Sequence, residues 1–195
     1  LEAAKGKPNQ LGLPAKDNII VALIDGLGAE QLMQRAGHAT FLAQAMNPRT
    51  TTYCAYPATT SANIGSFATG LMPGEHGLIG HQVWDRQHDE RINLLVGWNE
   101  RTDPQVWQPH QTIAERGKAE GVEVRVIAAE EYRSTPYSMA TMRGAEFVAA
   151  DSIADRIDAA ISAANSKGSS INYLYFPELD KYGHKFGGKS PGWAA

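Results

Sequence analysis

The feature that most constrains the fold is a continuous apolar run that ends in an acidic residue and a glycine-rich turn. It reads "NIIVALIDGLG" and covers residues 18–28. An apolar stretch without polar interruptions is typical of a strand buried on both faces of a parallel sheet, and the glycines after Asp25 favour a tight turn. A second such run, "INYLYFPELD", covers residues 171–180. We therefore expect two buried strands, distant in sequence, within one sheet.

Strand-like and helix-like segments alternate between these two runs. We predict further strands at "RTTTYCAY" (49–56), "RINLLVGW" (91–98) and "VEVRVIAA" (122–129), and helices over residues 29–36, 111–121 and 151–164. In the last helix apolar residues recur at helical spacing, and Asp151 is the expected N-cap. These apolar residues are Ile153, Ile157, Ala160, Ile161 and Ala164. Such alternation predicts an α/β fold with three layers, α/β/α, around a mostly parallel central sheet.

Length and composition favour one globular domain. The chain has 195 residues, of which 43% are hydrophobic and 20% charged. We expect an irregular lead-in over residues 1–17 and a single α/β domain over residues 18–195. The net charge is -3 and no block of Lys or Arg occurs, which argues against a nucleic-acid-binding stripe. No apolar run reaches the ~20 residues of a membrane span.

The sequence leaves the oligomeric state and the compartment open. The N-terminus lacks the pattern of a signal peptide, so the chain is either cytoplasmic or exported after loss of a leader. Cys54 is the only cysteine. A disulfide within the chain is therefore excluded, and any metal must be held by His, Asp, Glu or hydroxyl oxygens.

Acidic, imidazole and hydroxyl groups follow three of the predicted strands, at the sheet edge where ligands bind in α/β folds. Asp25 follows the first strand; it either accepts hydrogen bonds from the turn after it or binds a metal ion. Asp180 and His184 follow the last strand with i, i+4 spacing. On a helix this spacing places both side chains on one face, where they either form an exposed pair or bind one cation together.

A pair of threonines opens an uncharged segment after the predicted strand at 49–56. If a helix starts near Ser61, the Thr60 hydroxyl stands at the positive end of the helix dipole, where free N–H groups can bind a phosphate. A threonine hydroxyl needs a base or a coordinated metal before it attacks. The alternative is that Thr59 or Thr60 is an ordinary N-cap.

Three segments together resemble the alkaline phosphatase superfamily, and most closely its type I phosphodiesterase/nucleotide pyrophosphatase branch. They read "VALIDGLG", "TTSANIGSFATGLMPGEHGLIG" and "YFPELDKYGHKFGGKSPGW". The resemblance covers residues 19–193, with pattern support alone between residues 84 and 150. In the family the nucleophile lies nine residues before a Thr-Gly pair. Here that pair is Thr69-Gly70, so the resemblance assigns the nucleophile to Thr60.

The resemblance implies a metal-dependent phosphoric ester hydrolase that forms a phosphothreonine intermediate at Thr60. It also implies two divalent metal ions, with zinc as the expected element. Asp25 and Thr60 would contact one ion, and Asp180 and His184 would be ligands of the other. The implied substrate is a small phosphate ester or a nucleotide; whether a monoester or a diester is preferred stays open.

Two departures from the branch pattern qualify this expectation. His81 stands where the branch often has an Asn that contacts the phosphoryl oxygen, and His81 either donates to that oxygen or lies free at the surface. The family also completes its metal shells with an Asp-His-Gly segment and a later His, and neither occurs up to Ala195. We expect the N-terminal part of a catalytic domain, which binds metal weakly and turns over slowly or not at all.

Other functions on the same fold remain as alternatives. One is a binding or scaffold protein without turnover, and another is a phosphonate hydrolase or a phosphotransferase. A sulfatase is disfavoured, because Cys54 lies six residues before Thr60 and lacks the Cys-x-Pro-x-Arg pattern. Of the other histidines, we expect His76 to stabilise the "PGEHG" turn. His38, His88 and His110 show no surrounding motif.

Overall fold

A computed structural model describes residues 1–47 and 51–194 of the chain. Its strands are β1 (Asn18–Ile24), β2 (Gln82–Asp85), β3 (Glu90–Asn93), β4 (Glu123–Ala128), β5 (Glu146–Ala149) and β6 (Ser170–Phe176). Four of them form a sheet in the order β1-β6-β4-β5, and β4 runs parallel to both of its neighbours. Val126 is paired with Tyr173 on one side and with Phe147 on the other. The fold is therefore α/β with a mostly parallel central sheet, as the sequence predicts.

The helices are short, and most of them follow a strand or a loop of the sheet. They are α1 (Ala29–Gln34), α2 (Thr40–Ala45), α3 (Thr60–Thr69), α4 (Pro73–His76), α5 (Pro104–Trp107), α6 (Ile113–Ala119), α7 (Pro136–Thr141), α8 (Ile153–Ala164), α9 (Glu178–Phe186) and α10 (Pro191–Ala194). Single 3-10 turns occur at Ala3–Lys5 and Glu130–Tyr132. None of the helices among the described residues is long and apolar enough to span a bilayer.

Helices lie on both faces of the sheet at β4. Val124 belongs to a buried cluster with Ala114 of α6, and a Cβ on Gly117 of α6 would come within 2.9 Å of the Val124 side chain. Neighbouring residues of a strand point to opposite faces. Arg125 accordingly reaches the other face, where its guanidinium donates to Ser166 just after α8. This arrangement gives the α/β/α layers.

The chain divides into two compact units. The first comprises Leu1–Val21 and Ala55–Leu174, and the second comprises the described residues of Ala22–Cys54 and Tyr175–Ala195. The first unit contains α3 to α8, the β2–β3 pair, β4 and β5. The second contains α1, α2, α9 and α10. Thr60 and His81 therefore belong to the first unit, and the other predicted metal-binding residues, Asp25, Asp180 and His184, belong to the second.

The predicted first strand is present, but it is not buried on both faces. The burial pattern of β1 is intermediate, and Ile20 and Ala22, which point to one face, are exposed. An unbroken apolar run therefore does not distinguish a doubly covered strand from one that is covered on a single face. The last predicted strand, β6, does have five buried residues in succession.

The predicted strand at residues 49–56 is wrong over its described part. Arg49 and Thr50 lie outside the described residues, and residues 51–56 contain no strand. Tyr53 and Tyr56 are the aromatic residues that favour a strand in this segment. Their side chains are almost fully exposed, so packing does not stabilise a strand here. The Asn63 side chain, rather than a neighbouring strand, bonds to the backbone of Ala55.

The predicted strand at residues 91–98 is shorter than expected and lies outside the parallel sheet. Its start belongs to β3, which pairs with β2 in antiparallel register, with Val83 opposite Ile92. Only four residues separate the two strands, and Asp89 in this turn has a φ of 55°. So short a connection allows only a hairpin.

Helix α8 is present where it was predicted, but its cap and its buried face differ. The Ser152 hydroxyl accepts from the Asp155 amide and makes Ser152 the N-cap, whereas Asp151 accepts from the Glu130 amide. The buried side chains of α8 are Arg156, Ala160 and Ala163. Of the residues predicted from helical spacing, Ala160 is therefore buried as expected, whereas the others are exposed: Ile153, Ile157, Ile161 and Ala164.

Candidate active site

Thr60 is the first residue of α3. Thr59 holds the N-cap position in an extended conformation, but its side chain makes no capping hydrogen bond. The helix ends ten residues later at Gly70, whose φ of 74° closes it in the left-handed conformation. The Thr59 side chain thus does not occupy the start of α3, and the N–H groups at a helix start are a general binding place for an anion beside a residue such as Thr60.

The small residues of α3 allow a close approach by the "PGEHG" turn. A Cβ on Gly65 would come within 2.7 Å of the buried His76 ring. The His76 Nδ1 atom accepts from the Leu78 amide at 3.1 Å, so the ring proton is on Nε2, which donates to Ser66 Oγ at 3.1 Å. Burial lowers the pKa of His76 and keeps the ring neutral. His76 therefore has a structural role.

His81 is exposed just before the β2–β3 hairpin. The Asn93 amide nitrogen lies 3.0 Å from His81 Nε2, and an amide nitrogen can only donate. The Nε2 atom is therefore the acceptor, and the ring proton of neutral His81 is on Nδ1. The ring thus retains one N–H donor that Asn93 does not use.

Asp25 lies in the second unit, directly after β1, with both carboxylate oxygens held. The Gly26 amide donates to Oδ1 at 3.0 Å, and the Tyr175 hydroxyl donates to Oδ2 at 2.7 Å. The Asp25 amide in turn donates to the carbonyl of Phe176 at 2.9 Å. The turn interpretation of Asp25 is thus present in the structure, and it does not exclude the metal interpretation, because a carboxylate oxygen can accept a hydrogen bond and bind a cation at the same time.

Asp180 and His184 project from one face of α9, with His184 Nε2 at 3.5 Å from Asp180 Oδ1. Burial raises the pKa of Asp180 from its ordinary value, and the negative charge of Asp25 raises it further, against the opposing effect of His184. The second unit therefore brings together two carboxylates that repel each other and an imidazole. A divalent cation such as zinc takes these ligand types and would relieve the repulsion. The ligand atoms of Asp25, Asp180 and His184 do not, however, all lie within 4.8 Å of one another, so the three residues do not form one closed ligand group.

A cleft of about 490 Å³ opens beside these groups within the second unit. Its lining includes Gly26, Asp180 and His184 together with Arg35 and Trp193. The Arg35 guanidinium lies 4.7 Å from the centre of the Trp193 ring and donates to the carbonyl of Gly188. Residues of α1 also line the cleft, so its open space lies between Asp180 and α1.

One cluster of metal-ligand types was missed from the sequence. Among the described residues, Asp85, His88 and Glu90 alone form a group of three whose ligand atoms lie within 4.8 Å of one another. Asp85 accepts from the His88 ring at 2.7 Å and from two backbone amides, while Glu90 accepts from Asn99 and Arg101. These oxygens therefore already have partners that stabilise the hairpin.

Comparison with known proteins identifies the fold and its relatives. The family model for type I phosphodiesterase/nucleotide pyrophosphatase matches residues 19–195. Murine ectonucleotide pyrophosphatase/phosphodiesterase 5 is a similar solved structure, with a TM-score of 0.65 and 20% identity over 90% of this chain. An inactive threonine-to-alanine variant of it, in complex with AMP, gives 0.67 and 18% over 92%. The human counterpart gives 0.61 and 15% over 90%.

The chain spans about half the length of these structures: 48% of the murine AMP complex and 47% of the other two. Curated protein sequences give no match. At these identities the solved structures establish the fold, while the family model covers most of the chain.

Proposed function

Because the chain belongs to the type I phosphodiesterase/nucleotide pyrophosphatase family, we propose that it is the Thr60-bearing part of a metal-dependent phosphoric ester hydrolase. The position of Thr60 carries this proposal. A hydroxyl at the uncapped start of a ten-residue helix can approach an anion held by backbone N–H groups. The inactive murine relative carries alanine in place of one threonine and so lacks that hydroxyl, which agrees with such a role.

Asp25, Asp180 and His184 are the proposed metal ligands of this chain. When bound, divalent cations would neutralise charge on the phosphoryl oxygens and favour ionisation of the attacking hydroxyl. The contribution of the chain is to orient the ligands. Gly26 and Tyr175 fix the Asp25 carboxylate, and α9 presents Asp180 and His184 one turn apart.

The proposed reaction proceeds by two displacements at phosphorus. The Thr60 Oγ atom forms a bond to phosphorus while the bond to the leaving oxygen breaks, and the Thr60 proton passes to solvent. Water then displaces Thr60 from the phosphothreonine, and the hydroxyl regains a proton. The proposed substrate is a small phosphate ester or a nucleotide, the class to which the AMP bound by the murine relative belongs.

Acid-quench trapping tests the role of Thr60 directly. The chain is mixed with zinc and the nitrophenyl ester of thymidine monophosphate, quenched in acid, and digested. Mass spectrometry then locates the nucleotidyl group. We expect the adduct on Thr60, together with release of one nitrophenolate per adduct. Slow turnover does not obscure this result, because one reaction per molecule is sufficient.

The adjacent threonine provides the control. Thr59→Ala should keep the adduct, since the Thr59 side chain caps no N–H group, and Thr60→Ala should abolish it. An adduct that survives Thr60→Ala contradicts the proposal. Release of nitrophenolate that continues unchanged in Thr60→Ala contradicts it as well. A chain that binds zinc but forms no adduct would instead favour a binding protein of the same fold.

A further inference from the structure

The segment that leads into Thr60, residues 51–59, is not held in place by strand pairing. Residues 51–56 form no strand, and the side chains of Tyr53 and Tyr56 are 99% and 93% exposed. In the part of the chain that the structure describes, neither ladder hydrogen bonds nor these two tyrosine side chains hold this approach, although it delivers the residue proposed as nucleophile.

One side chain bonds to this segment at three places. The Asn63 carboxamide nitrogen lies 3.3 Å from the carbonyl oxygen of Ala55, 3.1 Å from that of Pro57 and 3.0 Å from that of Thr59. The Asn63 Oδ1 atom accepts from the Ala55 amide at 2.8 Å. The carboxamide nitrogen has two N–H bonds for three carbonyl acceptors, so at least one N–H is shared between two carbonyls.

The main chain of Asn63 converges on the same place. Its amide donates to the carbonyl of Thr59 at 3.1 Å, which is the first helical hydrogen bond of α3. Backbone and side chain of one residue therefore both hold Thr59, the neighbour of Thr60. This fixes the direction from which the chain enters α3.

Other groups anchor the first turn of α3 independently of Asn63. The Ser61 hydroxyl donates to the carbonyl of Gly80 at 2.6 Å, and the buried Tyr137 hydroxyl donates to the carbonyl of Ser61 at 2.7 Å. Loss of the Asn63 carboxamide should therefore loosen the approach without unfolding the helix.

We propose that Asn63 is the positioning residue for Thr60: its carboxamide replaces a strand partner and fixes the hydroxyl at the start of α3. The inference rests on the proposed function of Thr60 for its catalytic consequence. In-line attack depends on geometry, and a displacement of about 1 Å costs on the order of 100-fold in rate. Asn63 would therefore influence the chemical step without touching substrate.

Nuclear magnetic resonance of the Thr60 methyl group tests positioning without any need for turnover. In threonine-labelled protein, the Thr60 signal is assigned by its disappearance in Thr60→Ser. Asn63→Asp keeps the shape and the acceptor of the side chain but replaces the donor with an oxygen that faces three carbonyls. We expect the Thr60 methyl signal to broaden or split, while the signal of Thr112 stays unchanged. Asn165→Asp, an exposed asparagine on α8's C-cap, is the matched control and should leave both signals unchanged.

Acid-quench trapping then measures the catalytic consequence. Asn63→Asp should slow adduct formation at saturating ester about 100-fold, with the half-saturating ester concentration unchanged. If wild type forms no adduct, the proposed function fails, but the methyl signal still decides whether Asn63 positions Thr60. If Asn63→Asp does not fold, Asn63→Ala removes the donors without adding charge and serves for the same comparison. An unchanged methyl signal, or a rate that falls while the signal stays the same, overturns the proposal.

Discussion

The Tyr175 hydroxyl donates a hydrogen bond to Asp25 Oδ2 at 2.7 Å, while the Gly26 amide holds Oδ1 at 3.0 Å. Tyr175 belongs to β6 and Asp25 directly follows β1, so two strands of the sheet together orient one carboxylate. Partners of this kind hold a metal ligand in position before the metal binds.

Tyr175→Phe should therefore weaken zinc binding about tenfold, because the Asp25 carboxylate loses the partner that fixes its rotation. Isothermal titration calorimetry measures the affinity. Tyr53→Phe removes a hydroxyl from an almost fully exposed tyrosine and is the matched control. Equal zinc affinity of Tyr175→Phe and wild type would show that Tyr175 does not orient the ligand.

Gly26 should not tolerate a side chain. Its φ is +78°, and an added Cβ would lie 2.8 Å from the Cα atom of Asp180. Gly26→Ala therefore combines backbone strain with a clash against main-chain atoms, and it should lower the free energy of unfolding by about 2 kcal/mol. Urea denaturation at constant slope measures this loss.

Gly188→Ala is the control for that substitution, because a Cβ there meets nothing within 4 Å and no positive φ is required. It should change the free energy of unfolding little. A Gly26→Ala protein as stable as Gly188→Ala would mean that the turn after β1 can move away from Asp180.

Asp180 should destabilise the metal-free protein at neutral pH. Its pKa is raised by burial and by Asp25, so the folded chain binds this proton more tightly than the unfolded chain. The free energy of unfolding therefore falls as the pH rises from the ordinary carboxyl range through the raised pKa. Without metal, Asp180→Asn should raise the melting temperature by roughly 1–3 °C at neutral pH and have little effect in acid.

Zinc should reverse the order of stability. A cation that binds Asp180 stabilises the wild-type protein more than Asp180→Asn, so the melting curves of the two proteins should exchange order at saturating zinc. Asp158→Asn removes an exposed carboxylate from α8 and should respond to zinc as wild type does. If zinc shifts Asp180→Asn as much as wild type, Asp180 is not a ligand.

The sequence predicted the segments whose structure depends on local patterns. The run before Asp25, the helix that starts at Thr60 and the helical spacing of Asp180 and His184 are all present. Each depends on residues within about one strand or two helical turns, which a sequence displays directly. The family resemblance added which hydroxyl and which carboxylates to consider together.

The features that were missed depend on tertiary partners. The aromatic residues at 53 and 56 favour a strand, but Asn63 provides the hydrogen bonds that a neighbouring strand would give. The spacing of Ile153, Ile157 and Ile161 marks one stripe of α8, yet the sheet side of this helix is lined by alanines and by Arg156. In the first case a side-chain partner eight residues further along the chain decides the outcome, and in the second a neighbouring surface does; the propensities of the segment itself contain neither.

His81 offers the last test, since its ring keeps an Nδ1–H donor while Nε2 accepts from Asn93 at 3.0 Å. If this donor contacts the phosphoryl oxygen, His81→Ala should slow formation of the Thr60 adduct about 100-fold, because a hydrogen bond to developing charge is lost. His81→Asn supplies an amide donor at the same position and should restore most of the rate. His38→Ala removes another exposed imidazole and should leave the rate unchanged. Equal rates for His81→Ala and wild type would show that His81 donates nothing to the substrate and serves only to pair with Asn93.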